Sequence, residues 1–556
     1  MIHDIATHLS TLTAVQNVVV QGTKVVVTVN IDDNLYTLEV NLGGRFPSSL
    51  PKIYLVRAAD YGLLPHVCWE GEVCYNDGEG VCIDITQQKE IAEHALTKAI
   101  DVLSKQGDED FYDEFEGYWN KQDTIQPVYS LIEPGDKVRE LRAAVNNKNK
   151  ALIAFLPGEE DTLPNNEYAF LHKCTSRRTE MRAFYLPLES CIQPPLPGQP
   201  IEIDILENIV DLLSDCNRAR WDDILKHNNI PKPALYLLLS QPRPGGGRSL
   251  FGITVPFANS WLKNSAGEKY KHTVTPLSIN HHTPEFLIQR SGGYQDIAGI
   301  KIAIIGAGSV GGRIAEFMAM CGIRDLTLID GDIYSIDNLY RHVLDSRHVE
   351  TNKAKALASQ LRSHFPYISI TTKPEFINDP TSCFDNYDVI IDVTGDPTFS
   401  RRLNTKHREI QRTSKPLLLT VWLEALGLGG HVVLSDGLTE GCLHCLYHEN
   451  GKEGLWNQYA FIESGQSVTR NLTGCGGAFT PYSAMDAAKT AEMAARMLIN
   501  RLRNLTTKDH YCFWRGDDAL AKSERMSTSD WYKKLGKAKT DAIDLHKGCS
   551  LCRQTA

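Results

Sequence analysis

The sequence has no apolar run approaching the ~20 residues that an α-helix needs to cross a bilayer, so no membrane-spanning helix is expected. Its first residues, MIHDIATHLSTL, lack a basic block followed by an apolar one, and no signal peptide is expected either. Basic charge is also in short supply. Against 68 acidic side chains stand 58 lysines and arginines, a net charge of −10, which argues against a protein built to coat nucleic acid or an anionic membrane. Repeats and low-complexity tracts are absent. The glycine-rich run Arg243 to Arg248, RPGGGR, lacks the G-K-[ST] ending of a P-loop and reads as a surface turn. Fourteen cysteines without an export signal are expected to be thiols, metal ligands or nucleophiles rather than disulfides, in a cytoplasmic protein.

What is present is organised around Ile302 to Asp332. The apolar run Ile302-Ala303-Ile304-Ile305 has the pattern of a strand buried on both faces. Gly306, Gly308 and Gly311 follow in G-x-G-x-x-G spacing, ahead of a helix-period stretch with Ile314, Phe317, Met318 and Cys321. Glycines there permit a tight turn and close approach of backbone to phosphate, and the helix N-terminus offers free N–H groups to an anion. A second strand, Leu326 to Ile329, ends in Asp330, placed to bind ribose hydroxyls. This much fits NAD, FAD or ATP alike. Beyond it come Asp332, then Asn338-Leu339-Tyr340-Arg341-His342, then Lys353. Hydride transfer has no need of an Asn, an Arg and a Lys there, whereas a triphosphate site does, because charge develops on the phosphates during displacement. The order of Gly-rich loop, Asp-x-Asp, N-L-x-R and downstream Lys resembles the ThiF-type adenylation domain of ubiquitin-activating enzymes and of the activators of sulfur-carrier proteins. The resemblance covers roughly the last half of the chain. It implies ATP and Mg²⁺, with Gly306, Gly308, Gly311, Asp330, Asp332, Asn338, Arg341, Lys353 and Asp396 as nucleotide-site residues. Arg341 and Lys353 would stabilise phosphate charge. Asp396 is preferred as the Mg²⁺ ligand, with Asp392 as a strand-end cap.

Residues 1 to about 120 read as an α+β unit. An amphipathic helix (Ile2, Ile5, Leu9, Leu12) precedes strands at Val15–Val20, Lys24–Asn30 and Leu35–Leu42, with Gly22 and Asp32-Asp33-Asn34 as hairpin turns. Phe46-Pro47 leads to a strand at 51–56. A cysteine-bearing loop and a helix through Ile91, Ala95, Leu96, Ala99 and Leu103 complete the unit. This order, with Pro65-His66-Val67, Gly71-Glu72-Val73-Cys74 and Glu114-Phe115-Glu116-Gly117-Tyr118-Trp119, resembles a divergent bacterial branch of the ubiquitin-conjugating fold. It departs from the eukaryotic pattern in having no His-Pro-Asn before the cysteine, and Asn76 is the stand-in considered for the oxyanion donor. Cys74 fits the catalytic position. Cys82, in Gly80-Val81-Cys82-Ile83-Asp84-Ile85, is the competitor, and Cys68 reads as core. Packed, inert thiols are the competing reading for all three.

Residues of about 126 to 285 carry strand-like runs (151–155, 182–188, 234–239, 249–255) and one helix at 203–213, in a linker domain whose fold the sequence does not name. Further on, Cys442-x-x-Cys445 and Cys549-x-x-Cys552 each place two thiolates around one tetrahedral metal. The adenylation resemblance implies that they complete one structural zinc site; a redox dithiol is the alternative. Between them, Cys475 is bounded by glycines ahead of a long helix, a setting that lowers a thiol pKa. It resembles the catalytic cysteine of autophagy-type activating enzymes, against the reading of a thiol packed at a tight turn. Cys512, Cys321 and Cys383 read as core.

The expected class is α/β, with a conjugating-like domain at 1–125, a linker domain at 126–285 and an adenylation domain at 286–556. The combination resembles the bacterial fusion enzymes of cyclic-oligonucleotide-based antiphage signalling systems. That resemblance implies activation of a partner's C-terminal carboxylate as an acyl-adenylate, transfer through Cys475 and then Cys74, and conjugation to amines of target proteins. The partner would be a nucleotide cyclase, and the enzyme a homodimer with no nucleic-acid or membrane partner. The alternative is a sulfur-carrier adenylyltransferase whose N-terminal module only recruits.

Overall fold

The computed structural model describes the chain except residues 77–79, 106, 123, 149–150, 162–163, 166–167, 169, 171, 173–175, 177, 197–199, 203, 228–233, 257–273, 378–383, 385, 411–414, 440, 450–451, 473–477, 507–509, 536–539, 545–548 and 554–556. It forms two compact units, one of Met1–Asp161 with Arg177–His281 and one of Thr162–Ser176 with His282–Ala556. Among the described residues no helix is long and apolar enough to cross a membrane.

In the first unit, β1 (Val15–Gln21), β2 (Lys24–Ile31), β3 (Asn34–Asn41) and β4 (Lys52–Leu55) pair in sequence order as an antiparallel meander. The turns form where the sequence permits left-handed backbone: Gly22 at φ 61°, and Asp32 and Asp33 at φ 48° and 64°. The alternation in β2 sends Val25, Val27, Val29 and Ile31 inward. There they meet Ile5 and Leu9 of the first helix and Ala92, Ala95, Leu96 and Ala99 of the helix Gln88–Ser104.

The linker domain, unnamed from sequence, is a closed seven-stranded barrel. Its strands are β5 (Gln126–Ser130), β6 (Arg139–Asn146), β7 (Leu152–Leu156), β8 (Arg178–Pro187), β9 (Ala234–Pro242), β10 (Arg248–Pro256) and β11 (Thr275–His281), in the order β10-β11-β5-β7-β6-β8-β9. Alternate residues of β8 serve two cores. Ala183 and Tyr185 join one cluster drawn from all seven strands. Phe184 and Leu186 join another with Phe115, Trp119, Trp221 and the helix Ile205–Asp211. Burial on both faces explains why β9 reads as a near-continuous apolar run. The run 243–248 is the β9–β10 hairpin turn, as its composition suggests, with the Gly245 amide donating to Asp113 Oδ1 at 2.8 Å.

The second unit is a doubly wound eight-stranded sheet. Strands β12 (Lys301–Ile305), β13 (Asp325–Ile329), β14 (Ser369–Lys373), β15 (Val389–Asp392) and β16 (Leu417–Leu423) run parallel in the order β14-β13-β12-β15-β16. β17 (Gly429–Ser435) and the strands His510–Arg515 and Thr540–Asp544 extend it antiparallel. The chain leaves β12 toward β13 on one side and reaches β15 on the other, which opens a crevice at the carboxyl ends of β12 and β15.

Candidate active sites in the two units

In the second unit the glycine loop sits at that crevice. Gly306 has φ 99°, and a Cβ there would lie 2.8 Å from the Val393 carbonyl oxygen. A Cβ on Gly311 would lie 1.9 Å from the Gly306 oxygen, so only glycine lets the helix Ser309–Met320 start this close to the strand end. Gly308 is the helix N-cap, and space for a Cβ is open there, leaving its face accessible to a ligand. Asp330, just past β13, accepts from Ala307 N at 2.7 Å and Asp332 N at 2.8 Å, which ties the loop to the second strand. Burial pushes its carboxyl pKa upward, and the two amide bonds and Lys353 oppose that shift.

The remaining expected residues converge around Asp330. Lys353 Nζ lies 2.8 Å from Asp332 Oδ2, so the cation expected to meet phosphate is paired with the second acid of the Asp-x-Asp motif. Asn338 Oδ1 accepts from Ser335 N at 3.2 Å and caps a short 3₁₀ turn, which fixes the backbone leading to Arg341. The Arg341 guanidinium stands 5.3 Å over the Tyr482 ring, and the Tyr482 hydroxyl is 2.7 Å from Ser309 Oγ. Two residues of this cluster escaped sequence reasoning. His342 is buried, with Nε2 2.7 Å from the Ala307 oxygen, and burial lowers its pKa to about 4, which keeps it neutral beneath the loop. It stood within the run already singled out. Tyr482 lies far along the chain and carried no local signal.

At the end of β15, Asp392 is buried and accepts from Thr394 N at 3.1 Å and Thr394 Oγ1 at 2.8 Å, the strand-end cap expected of it. Asp396 is exposed and is itself a cap: its Oδ1 accepts from Thr398 N at 2.8 Å and Phe399 N at 3.2 Å at the start of the helix Pro397–Glu409. Both bonds use Oδ1, so Oδ2 is the oxygen that faces other partners.

Cys475 lies outside the described residues, but its flanks are described. Arg470–Asn471 pairs antiparallel with Ala478–Phe479. The long helix begins at Ala484, capped by Ser483 and Asp486, rather than directly after the cysteine. Ala478–Phe479 and the Thr480–Tyr482 segment precede that start. Cys321 and Cys512 are half-buried against the main core, and Cys383 lies outside the described residues.

The four cysteines Cys442, Cys445, Cys549 and Cys552 are buried together, their sulfurs all within 4.8 Å of one another. Sγ separations are 3.7 Å for Cys442–Cys549, 3.7 Å for Cys445–Cys552 and 3.6 Å for Cys442–Cys552. Disulfides would need about 2.05 Å. A zinc–sulfur bond of about 2.3 Å sets tetrahedral sulfurs about 3.8 Å apart. The donor set therefore fits a closed Cys₄ site. Arg408 Nη2 donates to Cys552 Sγ at 3.2 Å, placing positive charge beside the thiolates such a metal requires.

In the first unit, Cys74 is exposed at the rim of a cleft of about 170 Å³ that it shares with His66, Cys68, Glu114, Tyr118 and Lys121. Burial of its surroundings, then the neighbouring Cys68, Glu114 and Glu72, raise its thiol pKa to about 11. Cys68, expected in the core, is half-buried and lines the same cleft. Cys82 is exposed and Asn76 half-buried. The run Glu114 to Trp119 has two faces. Glu114 and Tyr118 line the cleft, while Phe115 and Trp119 pack on Phe251, with ring centroids 4.8 and 4.9 Å away. Glu116, held below the usual carboxylate range, is the polar lock of this face. Burial is the largest influence on it and acts upward; hydrogen bonds and charge from His281, Leu250 N and Arg243 outweigh that.

Residues 284–510 match the ThiF family and residues 11–127 match prokaryotic E2 family B. The chain is thus a fusion of an E2-like and a ThiF-like domain. It is similar to the ATP-dependent ubiquitin transferase-like protein Cap2 of Pseudomonas aeruginosa, at 24% identity over 486 residues covering 84% of this chain and 86% of that protein. Cap2 of Vibrio cholerae is 22% identical over 547 residues, covering 90% and 89%. Among solved structures, Escherichia coli MccB crystallised with ATP aligns over 48% of this chain and 70% of its own, at 18% identity and a TM-score of 0.34.

Proposed function

We propose that this chain is an ATP-dependent activating and conjugating enzyme in which both steps of a ubiquitin-like pathway share one polypeptide. The ThiF-like half activates the C-terminal carboxylate of a partner protein as an acyl-adenylate. The acyl group passes to Cys475, then to Cys74, and finally to an amine, most simply a lysine of a target. Splitting one difficult acylation into thioester steps is covalent catalysis of an ordinary kind. The observation that carries the reading is the second unit's cluster: a glycine loop with an open helix N-cap, tied through Asp330 to Asp332 and Lys353.

Each residue has a role in that reading. Gly306, Gly308 and Gly311 let phosphate approach the helix terminus. Asp330 holds the ribose, and Asn338 fixes the turn that presents Arg341. Lys353 exchanges Asp332 for phosphate, and both cations meet charge as it develops. Asp396, through Oδ2, would hold Mg²⁺, which supplies charge neutralisation when bound. The four cysteines would hold a structural zinc, which supplies folding energy and no reaction step. The domain limits 1–125, 126–285 and 286–556, the homodimer and a cytoplasmic location belong to the same proposal. So does a nucleotide cyclase as the partner, a choice that rests on the resemblance to antiphage conjugation systems. The test is ATP binding and pyrophosphate exchange driven by a C-terminal peptide. Lys353→Ala and Asp396→Asn should each lower exchange by at least ~100-fold while the protein remains folded. Tight NADH binding without ATP dependence would overturn the assignment.

A further inference from the structure

The conjugating half lacks the asparagine of its eukaryotic counterparts, and the structure puts something else beside the cysteine. Val67 and Val73 form an antiparallel bridge. Around it, Cys74 N donates to the His66 oxygen at 2.7 Å and Cys68 N donates to the Glu72 oxygen at 2.8 Å. His66 and Cys74 are therefore joined main chain to main chain across this bridge, and both line the cleft. His66 adopts φ 58°, a left-handed conformation that a side chain of this size rarely takes without support. The support comes from the helical run Asp108 to Trp119. His66 N donates to the Tyr118 hydroxyl at 2.6 Å, and the imidazole Nδ1 lies 3.2 Å from Glu114 Oε2. The negative charge beside Nδ1 favours a proton on that nitrogen, which leaves Nε2 as the nitrogen to act as base. Asp110 Oδ2, at 4.0 Å from Nε2, is beyond hydrogen-bonding distance.

The groups facing His66 are thus Asp110, Glu114, Tyr118 and Lys121 from the helical run and its end, and Cys68, Glu72 and Cys74 from the hairpin. The helical run is itself fixed to the barrel by Phe115, Trp119 and Glu116, so the imidazole is aimed by a rigid element. A thiol held protonated, as Cys74 is, needs a base before it can attack a thioester at neutral pH.

We infer that His66 is the general base of the conjugating half, with Glu114 as the residue that positions its imidazole. This rests on the proposed role of Cys74. In loading, Cys74 Sγ attacks the donor thioester carbonyl while its S–H proton passes to His66. The donor C–S bond breaks, and His66 returns the proton to the departing thiolate. In discharge, a neutral amine attacks the Cys74 thioester, forming the C–N bond and giving one proton to His66. The C–Sγ bond breaks and the proton returns to the Cys74 sulfur. No oxidant or further reactant is consumed, and the base is regenerated each time.

The test uses the full chain without ATP and a glycine-ended peptide thioester of mercaptoethanesulfonate as acyl donor. Acylation of Cys74 is read by peptide mass spectrometry between pH 5.5 and 10. His66→Gly suits the left-handed backbone and keeps both main-chain bonds. In the unsubstituted chain the rate should depend less steeply on pH than a reaction of the free thiolate would. In His66→Gly it should fall roughly 100-fold near pH 7.5, climb about tenfold per pH unit, and recover with added imidazole. Glu114→Gln should slow acylation in the same assay and recover with added imidazole, because the base loses the group that positions it. Unchanged rate and pH profile in His66→Gly would overturn the inference, and so would a loss that imidazole does not restore. If the unsubstituted chain accepts no acyl group on Cys74, the proposed role of that cysteine fails first and the base falls with it.

Discussion

Two glycines three residues apart in the same loop should respond to the same substitution in opposite ways. At Gly311 a methyl group would sit 1.9 Å from the Gly306 carbonyl oxygen, where a carbon–oxygen contact needs about 3.3 Å. The obstacle is backbone, which cannot swing aside, so strand end and helix must part by more than an ångström. Overpacking of this kind costs ~1–3 kcal/mol, and the rigid obstacle places Gly311→Ala at the upper end, about 3 kcal/mol. For a unit of this size that is a fall in Tm of roughly 6–12 °C. At Gly308, by contrast, nothing lies within 4 Å of the added carbon and φ is −77°, so Gly308→Ala should melt within about 3 °C of the parent. Its cost should appear only when nucleotide arrives, because the methyl occupies the face on which phosphate would approach the helix N-terminus. Scanning calorimetry gives the first quantity and titration with ATP-Mg²⁺ the second. ATP binding by Gly308→Ala equal to the parent would refute the placement of phosphate. A parental Tm for Gly311→Ala would refute the packing argument.

The cysteine cluster should bind one zinc per chain, measured by metal analysis of unchelated protein. Metal binding of this type carries ~10–16 kcal/mol, comparable to the whole stability of a domain, so Cys552→Ser should unfold the packing of Tyr459, Phe461, Tyr511 and Tyr532 around it. Equal melting of metal-free and untreated protein would contradict this. Acid should also weaken the second unit. Burial lowers His342 and His407 to about 4, so the unfolded chain takes up protons that the folded chain refuses. Their stabilisation is complete above about pH 6.5 and is lost as pH falls toward 4, roughly 3 kcal/mol for each imidazole. Tm measured from pH 7 to 4.5 should therefore fall less steeply in His342→Gln, and identical slopes would count against the buried neutral imidazole.

The parts of this molecule that were legible in its sequence are the parts whose signals are local. β12, the glycine spacing and Asp330 lie within one short stretch, and each has a distinct physical reason for its residue type. The meander β1–β4 was equally open to reading, because its turns need left-handed backbone and carry Gly or Asp there. The barrel was not. β6 reads RELRAAVN, with two alanines and three charges that suit a helix as well, and β5 finds its neighbour β11 some 150 residues downstream. The helix Asp215–His227 was missed because few of its residues are apolar. At the sites the same division holds. The cysteine pairs announce a metal by spacing, whereas Tyr482 on Ser309, and Tyr118 and Glu114 on His66, are contacts between distant segments that no period or motif encodes.

The relay from Cys475 to Cys74 is the central claim, and a trap at Cys74 tests it most directly. An acyl group passed to a serine at that position would be held as an oxyester, far slower to discharge than a thioester. The Cys74→Ser chain, made in the cells it comes from and isolated without reductant, should carry another protein joined through its C-terminal carboxyl at position 74. Peptide mass spectrometry would read both the site and the partner. The double variant with Cys475→Ala should carry no adduct, because the acyl group cannot leave the adenylate for a thiol. An adduct at position 74 that persists without Cys475, or conjugates that still form in Cys74→Ala, would contradict the two-cysteine account.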